Sequence, residues 1–288
     1  GQGRYADSIR DFDSALALAP SMMEAHHNRA MALAALGRVD EALAGLDEAI
    51  RLGPAHEKLY TNRGFLLLQL GRAGGARDSF DLAVAHKPDH ALALWNRGLA
   101  NLSLGAFDQG WRDYEHRWAV EHFRKIAGQA AGLSGRFDLH LPAAQALAGQ
   151  RVMLLAEQGV GDVVMFASMI PDVIAIASRV TLACEPRLCR LMAQSFPGLD
   201  VVAMAPSHFF MPPFDRLLPG GSLGRLFRNR WEEFPGTPYL VPSREASDRW
   251  AEILGPKTAQ RRIGLSWRGG MAGTRRGDRS MALASLKP

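Results

Sequence analysis

The stretch Asn28-Arg29-Ala30-Met31-Ala32-Leu33-Ala34-Ala35-Leu36-Gly37 returns as Asn62-Arg63-Gly64-Phe65-Leu66-Leu67-Leu68-Gln69-Leu70-Gly71. It returns again as Asn96-Arg97-Gly98-Leu99-Ala100-Asn101-Leu102-Ser103-Leu104-Gly105. The period is 34 residues, and more of the chain obeys it: Gly3 precedes Gly37, Pro20 aligns with Pro54 and Pro88, and Ala15 with Ala49 and Ala83. So many coincidences at one spacing mark an internal repeat.

Each unit reads as two helices. From His26 to Leu36 the apolar residues Ala30, Leu33 and Ala34 recur at helical spacing, and Gly37 stops the helix because glycine accepts the left-handed cap. A second helix is expected from about Asp40 to Leu52, ending ahead of Pro54, since the residue before a proline avoids the helical region. Small residues at Ala30 and Ala49 let the paired helices approach closely. Such a unit cannot bury its own apolar face, so neighbouring units must stack.

These features resemble the tetratricopeptide repeat (TPR), over residues 1 to about 124. The resemblance implies an α-helical solenoid whose concave groove holds a protein or peptide. Full units are expected at about 23–56 and 57–90, with an atypical fourth at 91–124. Gly1 to Pro20 reads as the second helix of a unit whose first helix precedes the chain. In the fourth unit, Trp111, Tyr114 and Trp118 recur at i, i+3 and i+7 and make one aromatic face. That face suits either a plug between the solenoid and a following domain or an anchor for a peptide. Residues 125–150, Ala/Gly-rich and containing Pro142, are expected to be a linker.

The pattern then changes. Val152-Met-Leu-Leu-Ala156 is a short continuous apolar run, as in a strand buried on both faces. The loop Glu157-Gln-Gly-Val-Gly-Asp162 and a helix from about Val163 to Ser178 follow. Strands are expected at Val180–Cys184, Asp200–Met204 and Phe214–Leu218, and helices at Pro186–Ser195 and from a Ser243 cap to Leu254. Ile263-Gly-Leu-Ser-Trp267 opens one more strand. Strands alternating with helices predict a parallel, doubly wound α/β domain of Rossmann-like type over 151–260, with a second beginning at 261–288.

In such sheets ligands sit beyond the carboxyl ends of the strands. The loop holding Gln158, Gly159, Gly161 and Asp162 has that position after the first strand. Its glycines let a ligand come close to the backbone. Asp162 could cap the helix amides or serve as a general base on a ligand-facing loop. Gly159-Val-Gly161 is not the dinucleotide fingerprint, because Val164 stands where the third glycine would be.

Arg151-Val-Met-Leu-Leu-Ala-Glu-Gln-Gly-Val-Gly-Asp-Val-Val-Met-Phe166 resembles the opening strand and loop of bacterial TPR glycosyltransferases, relatives of the heptosyltransferase group. Gly110-Trp-Arg-Asp-Tyr-Glu-His-Arg-Trp118 and Arg262-Ile-Gly-Leu-Ser-Trp-Arg-Gly-Gly270, followed by Arg276-Gly-Asp-Arg-Ser280, resemble the same family. The resemblance implies the GT-B arrangement, two Rossmann-like domains facing across a cleft, of which 151–260 would be the acceptor-side half. It implies Asp162 as the base that deprotonates an acceptor hydroxyl, with Gln158, Gly159 and Gly161 in the substrate-binding loop. It places Ser266, Arg268 and Gly269 at the donor's diphosphate, with Arg275, Arg276 and Arg279 adding positive charge. The implied chemistry is inverting transfer of a sugar from a nucleotide-sugar, with no metal or other cofactor. Two features depart from the family: His140-Leu-Pro-Ala-Ala-Gln145 lacks the tryptophan expected before the first strand, and only one strand of the second domain precedes Pro288. The 288-residue chain alone is therefore expected to be inactive. The alternative is a non-catalytic interaction scaffold, in which the repeats carry the function and the α/β half is a degenerate appendage.

Charge separates the halves. The net charge is +5, yet residues 1–124 sum to −2 and residues 125–288 to +7, and Arg261 to Pro288 holds seven basic residues against Asp278 alone. This end suits either a solvated basic face or contact with nucleic acid, a membrane surface or a phosphorylated small molecule. Nucleic acid is not expected as a partner, because aromatic residues do not interleave with the charges. Cys184 and Cys189 have no His or Cys partners at metal spacing and read as free thiols in a reducing compartment. No apolar run approaches the ~18 residues of a membrane span. The location expected is the cytoplasm.

Overall fold

The computed structural model describes residues 2–54, 56–121, 123, 137–138, 141–204 and 212–256. The chain divides into two compact units, Gly1–Val241 and Pro242–Pro288.

The first unit opens with antiparallel helix pairs: α1 (Gln2–Leu18), α2 (Met23–Ala35), α3 (Val39–Leu52), α4 (Glu57–Gln69), α5 (Ala73–His86), α6 (Ala91–Ser103) and α7 (Phe107–Tyr114). The last continues as a 3₁₀ turn over Glu115–Ala119. The helix ends follow from the repeated glycines. Gly37, Gly71 and Gly105 have φ of +79°, +70° and +77°. Past each, an amide turns back on the helix: Arg38 to Leu33 O at 3.0 Å, Arg72 to Leu67 O at 2.9 Å, and Ala106 to Asn101 O at 2.9 Å. This is the six-to-one closure of a Schellman cap, made three times. Ala30, Leu33, Leu46, Ala49, Leu59, Phe80, Ala83 and Ala93 form a continuous core between the pairs.

The repeat also carries an electrostatic ladder. Arg29 pairs with Asp13 at 2.6 Å, Arg63 with Asp47 at 2.6 Å, and Arg97 with Asp81 at 3.0 Å. Each arginine reaches back 16 residues into the preceding helix. In the fourth unit, Glu115 holds the place of these aspartates and pairs instead with Arg117 at 3.0 Å.

The sheet follows. Strands β1 (Arg151–Leu155), β2 (Arg179–Cys184), β3 (Leu199–Ala203) and β4 (Arg216–Pro219) are all parallel, in the order β3-β2-β1-β4. Alternation places Val152, Leu154, Val180, Leu182 and Leu218 on one face. Met153, Leu155, Ala183 and Leu217 lie on the other. Both faces are covered, as the unbroken apolar runs demand. Helices α8 (Val160–Ala167), α9 (Ile170–Ile174), α10 (Pro186–Ser195) and α11 (Leu223–Phe227) complete the unit. The single helix expected over 163–178 is two: it starts three residues earlier because Gly159 takes the extended conformation of a cap (φ −65°, ψ 163°), and it breaks ahead of Pro171. The fourth strand lies two residues later at its start than expected. Leu141 and Leu147, within the stretch expected as a linker, are buried in the sheet core.

In the second unit, Ser243 caps α12 (Arg244–Leu254), its hydroxyl accepting from the Ala246 amide at 3.1 Å. Gly255 ends it at φ +68°.

Candidate functional site at the junction crevice

The chain leaves β1 toward β2 and β3 on one side and returns to β4 on the other, so the connections diverge between β1 and β4. A crevice at the carboxyl ends of these two strands is the place where such sheets bind ligands. A cleft is present there, about 340 Å³ counting its open mouth, lined by Leu154, Ala156, Glu157, Gln158, Phe166 and Gly220 among others.

The last repeat unit packs against the elements that surround it. Trp111 and Tyr114 belong to the sheet's own core cluster, with Trp95, Leu99 and Phe107 packed against it. The Trp111 indole N–H donates to Arg228 O at 2.7 Å. A Cβ on Gly224 would sit 2.5 Å from that indole, so only glycine lets α11 lie against it. Of the expected aromatic face, Trp111 and Tyr114 therefore act as the plug. Trp118 packs against Phe123 and Phe137.

Behind the plug lies a buried polar cluster. The Arg117 guanidinium is fully enclosed; it donates to Glu115 at 3.0 Å, Glu157 at 3.3 Å and Ser222 Oγ at 3.0 Å. It also lies over the Tyr114 ring, 4.4 Å from its centroid. Burial works against its charge, and the carboxylates of Glu115 and Glu157 overcome that and raise its pKa. Glu157 Oε1 accepts from Arg117, from Gln158 Nε2 at 3.1 Å and from the Gly221 amide at 3.2 Å. A carboxylate so engaged is held in place by its donors. Burial pushes the Tyr114 hydroxyl up to about 12, with the nearby carboxylates of Glu157 and Asp162 adding to the effect against the opposing Arg117 and Gln158. It stays protonated and meets the Gln158 amide at 2.8 Å.

The residues expected in the loop are thus placed as follows. Gln158 belongs to the junction, its amide shared between Tyr114 and Glu157. Gly159 is the exposed cap of α8, and Gly161 is exposed in its first turn. Asp162 is the third residue of α8, half-buried, and its carboxylate has no hydrogen bond or ion pair among the described residues. It makes no capping bond, and its Oδ2 lies 3.3 Å from where a Cβ on Gly159 would be. Ser266, Arg268, Gly269, Arg275, Arg276 and Arg279 lie outside the described residues. Among the described residues no group of His, Cys, Asp or Glu could hold a metal ion.

Glu157, Arg117 and Ser222 were not singled out from sequence. Arg117 had a signal: it stands three residues after Tyr114, on the same helical face. Nothing local marks Ser222, which comes from 105 residues further along.

Residues 1–57 and 61–114 match the family model of the tetratricopeptide repeat. The helical part is therefore a TPR array, and the match stops at Tyr114. Protein FlbA of Caulobacter vibrioides is 28% identical over 285 residues, covering 92% of this chain and 41% of its own. The chain thus spans about 41% of the length of the curated relative it matches. Among solved structures, MamA of Desulfovibrio magneticus is 21% identical, covering 46% of this chain and 75% of its own, with a TM-score of 0.40. YrrB, described as a TPR protein with an unusual peptide-binding site, is 19% identical, covering 46% and 68%, with a TM-score of 0.39. The first TPR of Spaghetti, bound to an HSP90 peptide, is 24% identical, covering 38% and 93%, with a TM-score of 0.33.

Proposed function

We propose that this chain is an interaction scaffold in which the TPR array holds a polypeptide and the α/β half is docked on its last unit. The repeat itself carries this reading. Each helix pair is buried against its neighbours, and the stack presents an extended surface of the kind solenoids use for binding. Phe65 on α4 and Leu92 on α6 stay exposed on the first helices of successive units although they are apolar. Exposed apolar side chains on a solenoid suit a peptide that contributes apolar anchors. No helix among the described residues is long and apolar enough to cross a membrane, and a cytoplasmic location remains part of the proposal.

The test is selection from a displayed random-peptide library against the intact chain, repeated with Phe65→Glu and Leu92→Glu. Peptides that bind the parent and lose at least tenfold in affinity to both variants support the groove. A selection that yields no binder, or binders indifferent to both changes, removes it.

A second reading is sugar transfer from a nucleotide-sugar, with Asp162 as base on the acceptor side of a GT-B enzyme. What supports it is the Asp162 carboxylate, unengaged among the described residues at the carboxyl end of β1, while neighbouring Glu157 is held by three donors. Ser266, Arg268, Gly269, Arg275 and Arg279 would meet the donor's diphosphate through charge-assisted bonds. Calorimetric titration of UDP-, GDP-, ADP- and CMP-sugars, into this chain and into any longer form its reading frame encodes, decides between the readings. Binding, with transfer lost in Asp162→Asn at unchanged folding, would establish the enzyme. Binding to neither form leaves the scaffold.

A further inference from the structure

Cys184 is the last residue of β2 and Cys189 lies in the first turn and a half of α10. They are the only cysteines in the chain. Their sulfurs are 3.8 Å apart, in van der Waals contact, and neither is in a disulfide. Cys184 is buried in the sheet core, whereas Cys189 is half-buried at the surface of α10, its thiol directed to the carbonyl of Glu185 at 3.6 Å. A sulfur–sulfur bond is about 2.05 Å, so the two atoms need to close by less than about 2 Å.

We propose that Cys184 and Cys189 form an oxidisable dithiol, closed to an intramolecular disulfide by a peroxide and reopened by a dithiol reductant. The half-buried Cys189 attacks first. Its thiolate sulfur takes one oxygen of the peroxide, the O–O bond breaks, and hydroxide leaves, giving a Cys189 sulfenic acid. The Cys184 sulfur then attacks the Cys189 sulfur; the S–O bond breaks, and the departing hydroxide takes the Cys184 proton to leave as water. Overall two thiols and one hydrogen peroxide give one disulfide and two waters. The order follows from access: burial, together with the neighbouring Cys189, pushes the Cys184 thiol up to about 12, so it stays protonated until a sulfenic acid forms beside it.

The experiment uses the full 288-residue chain with Cys184→Ser and Cys189→Ser, each checked for folding by circular dichroism. Hydrogen peroxide is applied, the reaction quenched, free thiols alkylated under denaturing conditions, and tryptic peptides weighed. Cleavage after Arg179, Arg187 and Arg190 separates the cysteines. The expected product is a cross-linked pair of peptides, 180–187 with 188–190, short of two hydrogen atoms, present in monomeric protein and split by dithiothreitol. Phenylarsine oxide, which bridges two close thiols, should block both in the untreated chain at one equivalent and neither variant stably. Oxidation of Cys189 to sulfinic acid with Cys184 still alkylated, disulfide-linked dimers only, or no arsenical bridging would each overturn the proposal. If the serine variants fail to fold, the cross-linked peptide and the arsenical stoichiometry of the unaltered chain decide alone.

Discussion

The Arg117 guanidinium lies 3.3 Å from the Glu157 carboxylate, joining the last TPR unit to the first strand-end loop of the sheet with both side chains shut off from water (side-chain exposures 0% and 1%). The pair is more than an interdomain contact. It sets a buried, paired charge at the carboxyl end of β1, beside the cleft lined by Glu157, Gln158 and Gly220.

Removing one partner strands the other. Arg117→Met leaves Glu115 and Glu157 as uncompensated carboxylates, a change that costs about 3–5 kcal/mol in buried pairs. Urea unfolding should show this as a lower midpoint. Arg117→Met combined with Glu157→Gln should recover part of the loss, with a coupling above about 1 kcal/mol. Strict additivity of the two changes would show that the pair does not act as one.

The ladder arginines differ in worth although the repeat makes them equivalent. Arg29 pairs in the open, with 29% and 51% of the two side chains exposed; Arg97 reaches Asp113 at 2.7 Å, where the figures are 18% and 5%. Arg97→Ala should therefore destabilise by about 2 kcal/mol and Arg29→Ala by under about 1 kcal/mol. Equal unfolding midpoints for the two variants would contradict the burial argument.

Two glycines should respond with opposite sign to the same substitution. A Cβ on Gly98 would lie 2.7 Å from Tyr114 N and 2.9 Å from Gly110 O, backbone atoms that cannot yield. Gly98→Ala should cost about 1–3 kcal/mol by pushing α6 off α7. Gly74, in the first turn of α5, has nothing within 4 Å of that position. Gly74→Ala should raise stability by up to about 1 kcal/mol through helix propensity. Thermal melts of both variants check the pair of signs.

Acid should release one sheet-edge contact. Asp215 accepts from the Arg151 side chain at 2.7 Å and from the Arg151 amide at 2.9 Å, and these bonds hold its carboxyl down at about 2. The folded value lies below that of the unfolded chain, about 3.9. Its contribution is therefore fully present above the unfolded value and is lost as pH falls through about 2. In melts taken from about pH 5 to about pH 2, Asp215→Asn should be less stable than the parent at the upper end and converge on it at the lower. A constant difference across the range would mean that the bond does not titrate.

The sequence alone determined the repeat, its helix ends and its strands, because each rests on local chemistry. Gly37, Gly71 and Gly105 close helices through their own backbone freedom, Pro54 and Pro88 forbid continuation, and a run such as Val152–Leu155 is apolar enough to be a strand covered on both faces. The position of the loop 157–162 at a strand's carboxyl end followed from the same local reading. Only the tertiary structure decided what that loop does with its side chains. Glu157 and Asp162 are two carboxylates five residues apart, and what separates them is a guanidinium from 40 residues upstream together with the Gly221 amide from beyond β4. Bonds made across such distances are fixed by how the solenoid and the sheet pack, and no local pattern encodes them. The contact between Cys184 and Cys189 is local by comparison: the two thiols, five residues apart, meet across the turn from strand to helix.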